Sequence, residues 1–135
     1  MRPGPGVLDT SVVILLGQLD AHADLPEEPL ITAVTLAELS VGPLVTDDES
    51  ERAVRQARLQ VTEATFEPIP FDVPAARAFG RVAAELRGSG RRTKARSFDA
   101  MIAATAVSRN FPVFTANPED FSGIQGLEVV PIGAS

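Results

Sequence analysis

The sequence predicts an α/β domain, a three-layer α/β/α sandwich around a mostly parallel sheet of about five strands. Short runs rich in Val, Leu and Ile alternate with longer segments whose apolar residues recur at helical spacing. With 135 residues, 44% of them apolar, the chain can bury one hydrophobic core and needs no second. Single acids, Asp9, Glu38 and Asp99, stand among apolar neighbours where strands end or helices begin. Parallel sheets collect function at the carboxyl ends of their strands. One domain over residues 1–135 is expected, with residues 1–5 flexible.

Gly6-Val7-Leu8-Asp9 reads as a short buried strand, followed by a short helix lined by Val12, Val13, Leu15, Leu16 and Leu19. A turn-rich stretch from Asp20 to Pro29 leads to a second strand, Leu30-Ile31-Thr32-Ala33, and to a helix starting near Thr35 with Glu38 in its first turn. Past Gly42-Pro43 and the acidic run Asp47-Asp48-Glu49, the segment from Ser50 to Ala64 reads as a third helix, with Ala53, Val54, Ala57 and Val61 at helical spacing. Glu67-Pro68-Ile69-Pro70-Phe71 is a brief extended piece. Asp72 then caps a helix carrying Ala75, Phe79, Val82, Ala83 and Leu86 on one face, which Gly88-Ser89-Gly90 ends. That stripe reads as core or as part of a protein contact. Ser97 reads as the cap of a fifth helix with Asp99 in its first turn and a stripe of Phe98, Met101, Ile102, Thr105 and Ala106; Ala103 and Ala104 allow close packing. Phe111 to Thr115 and Leu127 to Pro131 are the last strands expected.

Composition narrows the chemistry. The absence of cysteine removes disulfides, thiolate metal sites and thiol nucleophiles, and a reducing cytoplasm is the expected setting. The longest apolar run, Val12 to Leu16, is too short to cross a bilayer, and the start lacks the basic-then-apolar layout of a secretion signal, so no membrane association is expected. A net charge of -6 argues against a general polyanion binder, and no direct DNA binding is expected. Five of the twelve basic residues, Arg87, Arg91, Arg92, Lys94 and Arg96, nevertheless fall within ten positions. That cluster reads equally as a local RNA contact or as a solvated loop, with the docking of an acidic partner a third role.

The single histidine, His22, sits in a polar turn, which disfavours a histidine zinc site or a Ser-His-Asp triad. Carboxylates in core-type sequence are costly unless something positive meets them, and three of them ask for a shared cation. Mg2+ and Mn2+ take oxygen ligands, and one or two carboxylates with retained waters hold them beside a phosphate. Hydrolysis by a metal-activated water follows, and phosphodiester cleavage suits it. Each acid also has a purely structural reading. Thr35 and Glu38 fit a capping box, Asp99 suits a helix dipole, and Asp9 fits an Asx turn or cap.

Four ordered motifs carry a resemblance: Leu8-Asp9-Thr10-Ser11; Thr35-Leu36-Ala37-Glu38-Leu39 with Gly42; Phe98-Asp99-Ala100-Met101-Ile102-Ala103-Ala104-Thr105-Ala106; and Phe114-Thr115-Ala116-Asn117-Pro118-Glu119-Asp120-Phe121. The set resembles a PIN domain and, more narrowly, the VapC-type toxins of bacterial toxin-antitoxin modules. The resemblance implies a PIN-like parallel sheet with helices on both faces. It also implies a Mg2+- or Mn2+-dependent endoribonuclease that is the toxin of a type II module, is neutralised by a cognate VapB-type antitoxin and forms a homodimer. By the same resemblance Asp9, Glu38 and Asp99 bind metal and activate water, and Thr10 or Ser11 orients Asp9 or a metal water. Asn117, two residues after Thr115, stands where many PIN domains have a fourth acid, and Asp120 follows three residues later; Thr115, Asn117 and Asp120 are the further accessory site residues this resemblance suggests. The expectation is one tightly held metal, with a second recruited by substrate. The alternative is a catalytically silent PIN-fold module that binds RNA or protein. A haloacid-dehalogenase-like phosphatase is disfavoured because no second aspartate follows Asp9 two residues on.

Overall fold

The computed structural model describes residues 1–19, 23–88 and 94–133, the side chains of 94–96 excepted. Strands β1 (Arg2–Leu8), β2 (Pro26–Leu30), β3 (Val113–Thr115) and β4 (Val129–Pro131) and helices α1 (Thr10–Leu15), α2 (Ala33–Val41), α3 (Glu49–Thr65), α4 (Val73–Gly88) and α5 (Lys94–Arg109) follow in the order β1-α1-β2-α2-α3-α4-α5-β3-β4. The strands form one sheet in the order β2-β1-β3-β4, and every pairing is parallel. Asp9 leaves the carboxyl end of β1 and Ala116 that of β3, which are adjacent strands.

Successive residues point to opposite faces of a strand, and here both faces are apolar. Val7 and Val113 join a core with Val82, Leu86 and the buried side of α5. Leu8, Phe114 and Val130 join a second core with Val12, Val13, Leu39 and, at its margin, Leu59 and Phe66. Helices therefore cover both faces, as the three-layer expectation requires. Ile102, Ala103, Ala104, Thr105 and Ala106 of α5 are all buried, so this helix is enclosed rather than striped, and Phe98 of the expected stripe is exposed. β1 and β3 approach closely at Gly6, where a Cβ would run into the Phe114 ring and come within 2.9 Å of the Pro26 Cβ.

Several boundaries differ from the sequence expectation. β1 begins at Arg2 rather than Gly6: Arg2 and Pro5 pair with Pro26 and Glu28 of β2, with a shift of register between them, and the Arg2 amide donates to the Leu25 carbonyl at 3.0 Å. β2 falls in the stretch read as turns; its Pro26 and Pro29 are tolerated because it is an edge strand. Among the described residues the sheet has four strands, near the expected count of about five. The piece around Ile69 makes a single parallel bridge to Thr32, the Ile69 amide donating to the Ile31 carbonyl at 2.9 Å and the Ile69 carbonyl accepting from the Ala33 amide at 2.8 Å, and the partner segment turns into α2 at Ala33.

Helix ends moved as well. Thr32 caps α2, accepting from the Thr35 amide at 3.4 Å, so Glu38 lies in the second turn and has no capping box to complete. α5 begins at Lys94, which puts Ser97 inside the helix and Asp99 in its second turn rather than its first. Asp48 caps α3 and Asp72 caps α4, whose Ala75 amide donates to Asp72 Oδ1 at 3.2 Å. The apolar positions Ala53, Val54, Ala57 and Val61 of α3 face outward; the helix docks through Leu59, Thr62 and Phe66 instead. Arg52 and Arg55 tie its start to the preceding turn by donating to the carbonyls of Pro43, Thr46 and Gly42.

Candidate active site

Asp9 is held from three directions. It is the cap of α1: its Oδ1 accepts from the Val12 amide at 3.1 Å, satisfying one of the helix's free donors. The Ser11 hydroxyl donates to the same oxygen at 2.6 Å, and the Thr115 hydroxyl donates to Oδ2 at 2.6 Å. Its own amide donates to the Phe114 carbonyl at 3.0 Å, which seats the residue on the sheet. The side chain is 4% exposed. Ser11 and Thr115 are themselves anchored, by the Ala116 amide at 3.1 Å and the Asn117 amide at 2.9 Å. The turn after β3 therefore reaches Asp9 through two hydroxyls, each receiving a backbone N–H and passing its own proton to the carboxylate.

Glu38 enters from α2. Its Oε1 accepts from the Thr10 hydroxyl at 2.7 Å, and Thr10 Oγ1 lies 3.0 Å from the buried Thr35 hydroxyl. Thr10 thus serves Glu38, whereas Ser11 serves Asp9. Thr35 was missed as a site residue because Thr-x-x-Glu reads first as a capping box. The same spacing puts both side chains on one helix face, which is the signal that finds it.

Burial pushes the Asp9 carboxyl above its ordinary range; the bonds from Ser11, Thr115 and Val12 oppose that rise, and the charge of Asp120 adds to it. Burial likewise raises Glu38, the Thr10 bond opposes it, and the charge of Asp9 adds to it. Asp9 is therefore the electrostatic centre of an acidic group that Glu38 and Asp120 flank. Among the described residues no Lys or Arg forms an ion pair with Asp9 or Glu38. Asp99 is half-buried on α5, which packs against both α2 and the 3-10 turn Pro118–Phe121 that carries Asp120. The Asn117 side chain is exposed, and its contribution to Asp9 comes from its backbone.

An oxygen-only donor set, buried at Asp9 and half-buried at Glu38, with no ion-paired Lys or Arg among the described residues, fits a hard divalent cation. Among the described residues no three acids stand close enough to grip one ion together. The arrangement suits an ion held by one or two carboxylates with waters completing its shell, the habit of Mg2+. Of the basic cluster, Arg87 is exposed in the last turn of α4. Arg91 and Arg92, like His22, lie outside the described residues, as do the side chains of Lys94 and Arg96. No described helix is long and apolar enough to cross a membrane.

The PIN domain family model matches residues 6–127. Over 133 residues the chain is 43% identical to Ribonuclease VapC5 of Mycobacterium tuberculosis, covering 96% of this chain and 95% of that one. It is 37% identical over 103 residues to Ribonuclease VapC8 of the same species, covering 76% of this chain and 91% of that one. Among solved structures it superimposes on a chain of the VapBC-5 toxin-antitoxin crystal structure from Mycobacterium tuberculosis with a TM-score of 0.77 and 38% identity, covering 96% and 99% of the two chains. The four-stranded parallel sheet, the acids at its carboxyl edge and these matches agree, and the chain belongs to the PIN domain family, among its VapC-type members.

Proposed function

We propose that this protein is a VapC-type toxin: a Mg2+- or Mn2+-dependent endoribonuclease that hydrolyses RNA phosphodiester bonds and is held in check by a VapB-type antitoxin. The observation that carries the reading is the Asp9–Glu38 pair, two carboxylates that burial and the charge of a neighbouring acid, Asp120 for Asp9 and Asp9 for Glu38, push toward protonation, with no ion-paired base among the described residues. Relatives named as ribonucleases support the reaction class, and the toxin-antitoxin title of the VapBC-5 structure supports the partner.

A divalent cation bound there would neutralise the acids, ease the ionisation of an attacking water and offset charge developing on the phosphate. The chain's own contribution is placement. Three of the roughly four lone-pair sites of the Asp9 carboxylate are taken by Ser11, Val12 and Thr115, which leaves one on Oδ2. Thr10 occupies Oε1 of Glu38. Asp9 is thus offered through Oδ2, which favours a single tightly held ion, and Glu38 can offer Oε2. Asp99 and Asp120 complete the acidic rim, and the Arg87 to Arg96 segment supplies phosphate contacts. Exposed apolar side chains at Val41, Leu44, Val45, Val54 and Val61 offer surface for an antitoxin and a second copy of the chain. A cytoplasmic setting fits the cysteine-free composition.

The test is RNA cleavage by purified protein. Activity is expected with Mg2+ or Mn2+, lost on chelation, and lost in Asp9→Asn and Asp99→Asn proteins that keep the wild-type circular dichroism. Undiminished cleavage in both variants refutes the mechanism. Tight RNA binding without turnover at any metal concentration would favour the silent-module alternative. Co-purification with a small DNA-binding protein encoded beside it tests the antitoxin.

A further inference from the structure

Thr10 is the first residue of α1, yet both of its side-chain hydrogen bonds cross to α2. A hydroxyl has one proton to give, and an ionised carboxylate can only accept. With the Thr10 proton spent on Glu38 Oε1 at 2.7 Å, the 3.0 Å contact to Thr35 is a bond in which Thr35 donates. The result is a directed relay, Thr35 to Thr10 to Glu38, that starts from a fully buried side chain. Thr35 and Glu38 belong to the same helix, so the relay loops out to α1 and back. It ties the Glu38 carboxylate to the helix that Asp9 caps.

We infer that Thr10 is a positioning residue: with Thr35 behind it, it locks Glu38 into the one orientation that presents Oε2 to a cation beside Asp9. The inference rests on reading the Asp9–Glu38 pair as a cation site. Glu38 is only half-buried, and a free glutamate side chain carries enough rotamer freedom to make ordering it on binding costly. The relay orders it in advance. Ser11 and Thr115 do the same for Asp9 from the other side, so the two carboxylates are fixed by separate hydroxyl sets and are separable by mutation.

The experiment titrates Mn2+ into wild type, Thr10→Val, Thr10→Ser and Asp9→Asn, reading binding by water-proton relaxation and folding by thermal melting in chelator. Thr10→Val keeps shape but has no hydroxyl, and is expected to weaken Mn2+ about ten- to a hundred-fold, the usual effect of removing a partner that orients a ligand. Thr10→Ser restores the hydroxyl and is expected to restore binding; a role in packing alone would not be rescued this way. Should Thr10→Val fail to fold, Thr35→Val carries the test: it removes the donor behind Thr10 and is expected to weaken Mn2+ by a smaller factor. If wild type binds Mn2+, Asp9→Asn does not, and folded Thr10→Val or Thr35→Val binds as wild type does, the relay has no positioning role. If Asp9→Asn binds as tightly as wild type, the cation site itself is wrong and the inference falls with it.

Discussion

At the scale of single residues, the site is a problem of keeping a buried carboxylate in one pose with hydroxyls and a backbone amide, no counter-charge meeting it among the described residues. Thr115 is the clearest test of how that is done. Its hydroxyl donates to Asp9 Oδ2 and accepts the Asn117 amide, and the side chain is fully buried. Thr115→Val preserves the volume and strands both groups, an acceptor on Asp9 and a backbone donor. Leaving a buried polar group unsatisfied costs about 1–3 kcal/mol, and a lower denaturant midpoint with unchanged slope is expected. Thr115→Ser keeps both bonds and loses one methyl, worth about 0.8 kcal/mol. Equal losses for the two variants would mean that packing, not the hydroxyl relay, holds this corner.

At the scale of elements, periodicity was readable and phase was not. The run from Ser50 to Ala64 is a helix because its apolar spacing says so, yet Ala53, Val54, Ala57 and Val61 point outward. The docked side pairs a threonine, Thr62, with Leu59 and Phe66, and no local pattern announces a buried threonine. Val54→Lys and Val61→Lys are accordingly expected to change stability by no more than about 0.5 kcal/mol, the range of ordinary surface changes. Loss of a cooperative thermal transition in either would mean that the stripe belongs to the core. Glu38 and Asp99 each stand a turn deeper than local caps implied, because Thr32 lies upstream of Thr35 and α5 starts before Ser97. β2 hid in a proline-rich stretch that only an edge position tolerates. Asp9, Thr10, Ser11, Glu38 and Thr115 were legible as types suited to the chemistry. Their partition into an Asp9 set and a Glu38 set was not, since it depends on how α1 and α2 face each other. The backbone donors of Ala116 and Asn117 leave no mark in residue identity at all.

At the scale of the whole molecule, the acidic group around Asp9 sets a conflict between folding and function that the proposed cation would resolve. Burial holds Asp9 and Glu38 above their ordinary values of 3.8 and 4.5, so folding raises their proton affinity. The native chain then binds more protons than the unfolded one over the interval between ordinary and folded values. The stability these groups contribute is therefore full below about pH 4 and is lost as pH rises through the folded values, the reverse of a salt-bridged carboxylate. In chelator, a double variant Asp9→Asn, Glu38→Gln cannot pay this ionisation cost, so its melting temperature relative to wild type is expected to climb as pH rises from 4 toward neutrality. The trend in the difference is the measurement, because a fixed offset from altered hydrogen bonds cancels out of it. Saturating Mn2+ stabilises the state that binds it, and protons compete for the same oxygens. Added Mn2+ is thus expected to raise the wild-type melting temperature most near neutral pH, little near pH 4, and not at all in the double variant. A difference between the two proteins that stays flat with pH, or a Mn2+ effect equal in both, would mean that these carboxylates neither carry the burial cost nor receive the ion.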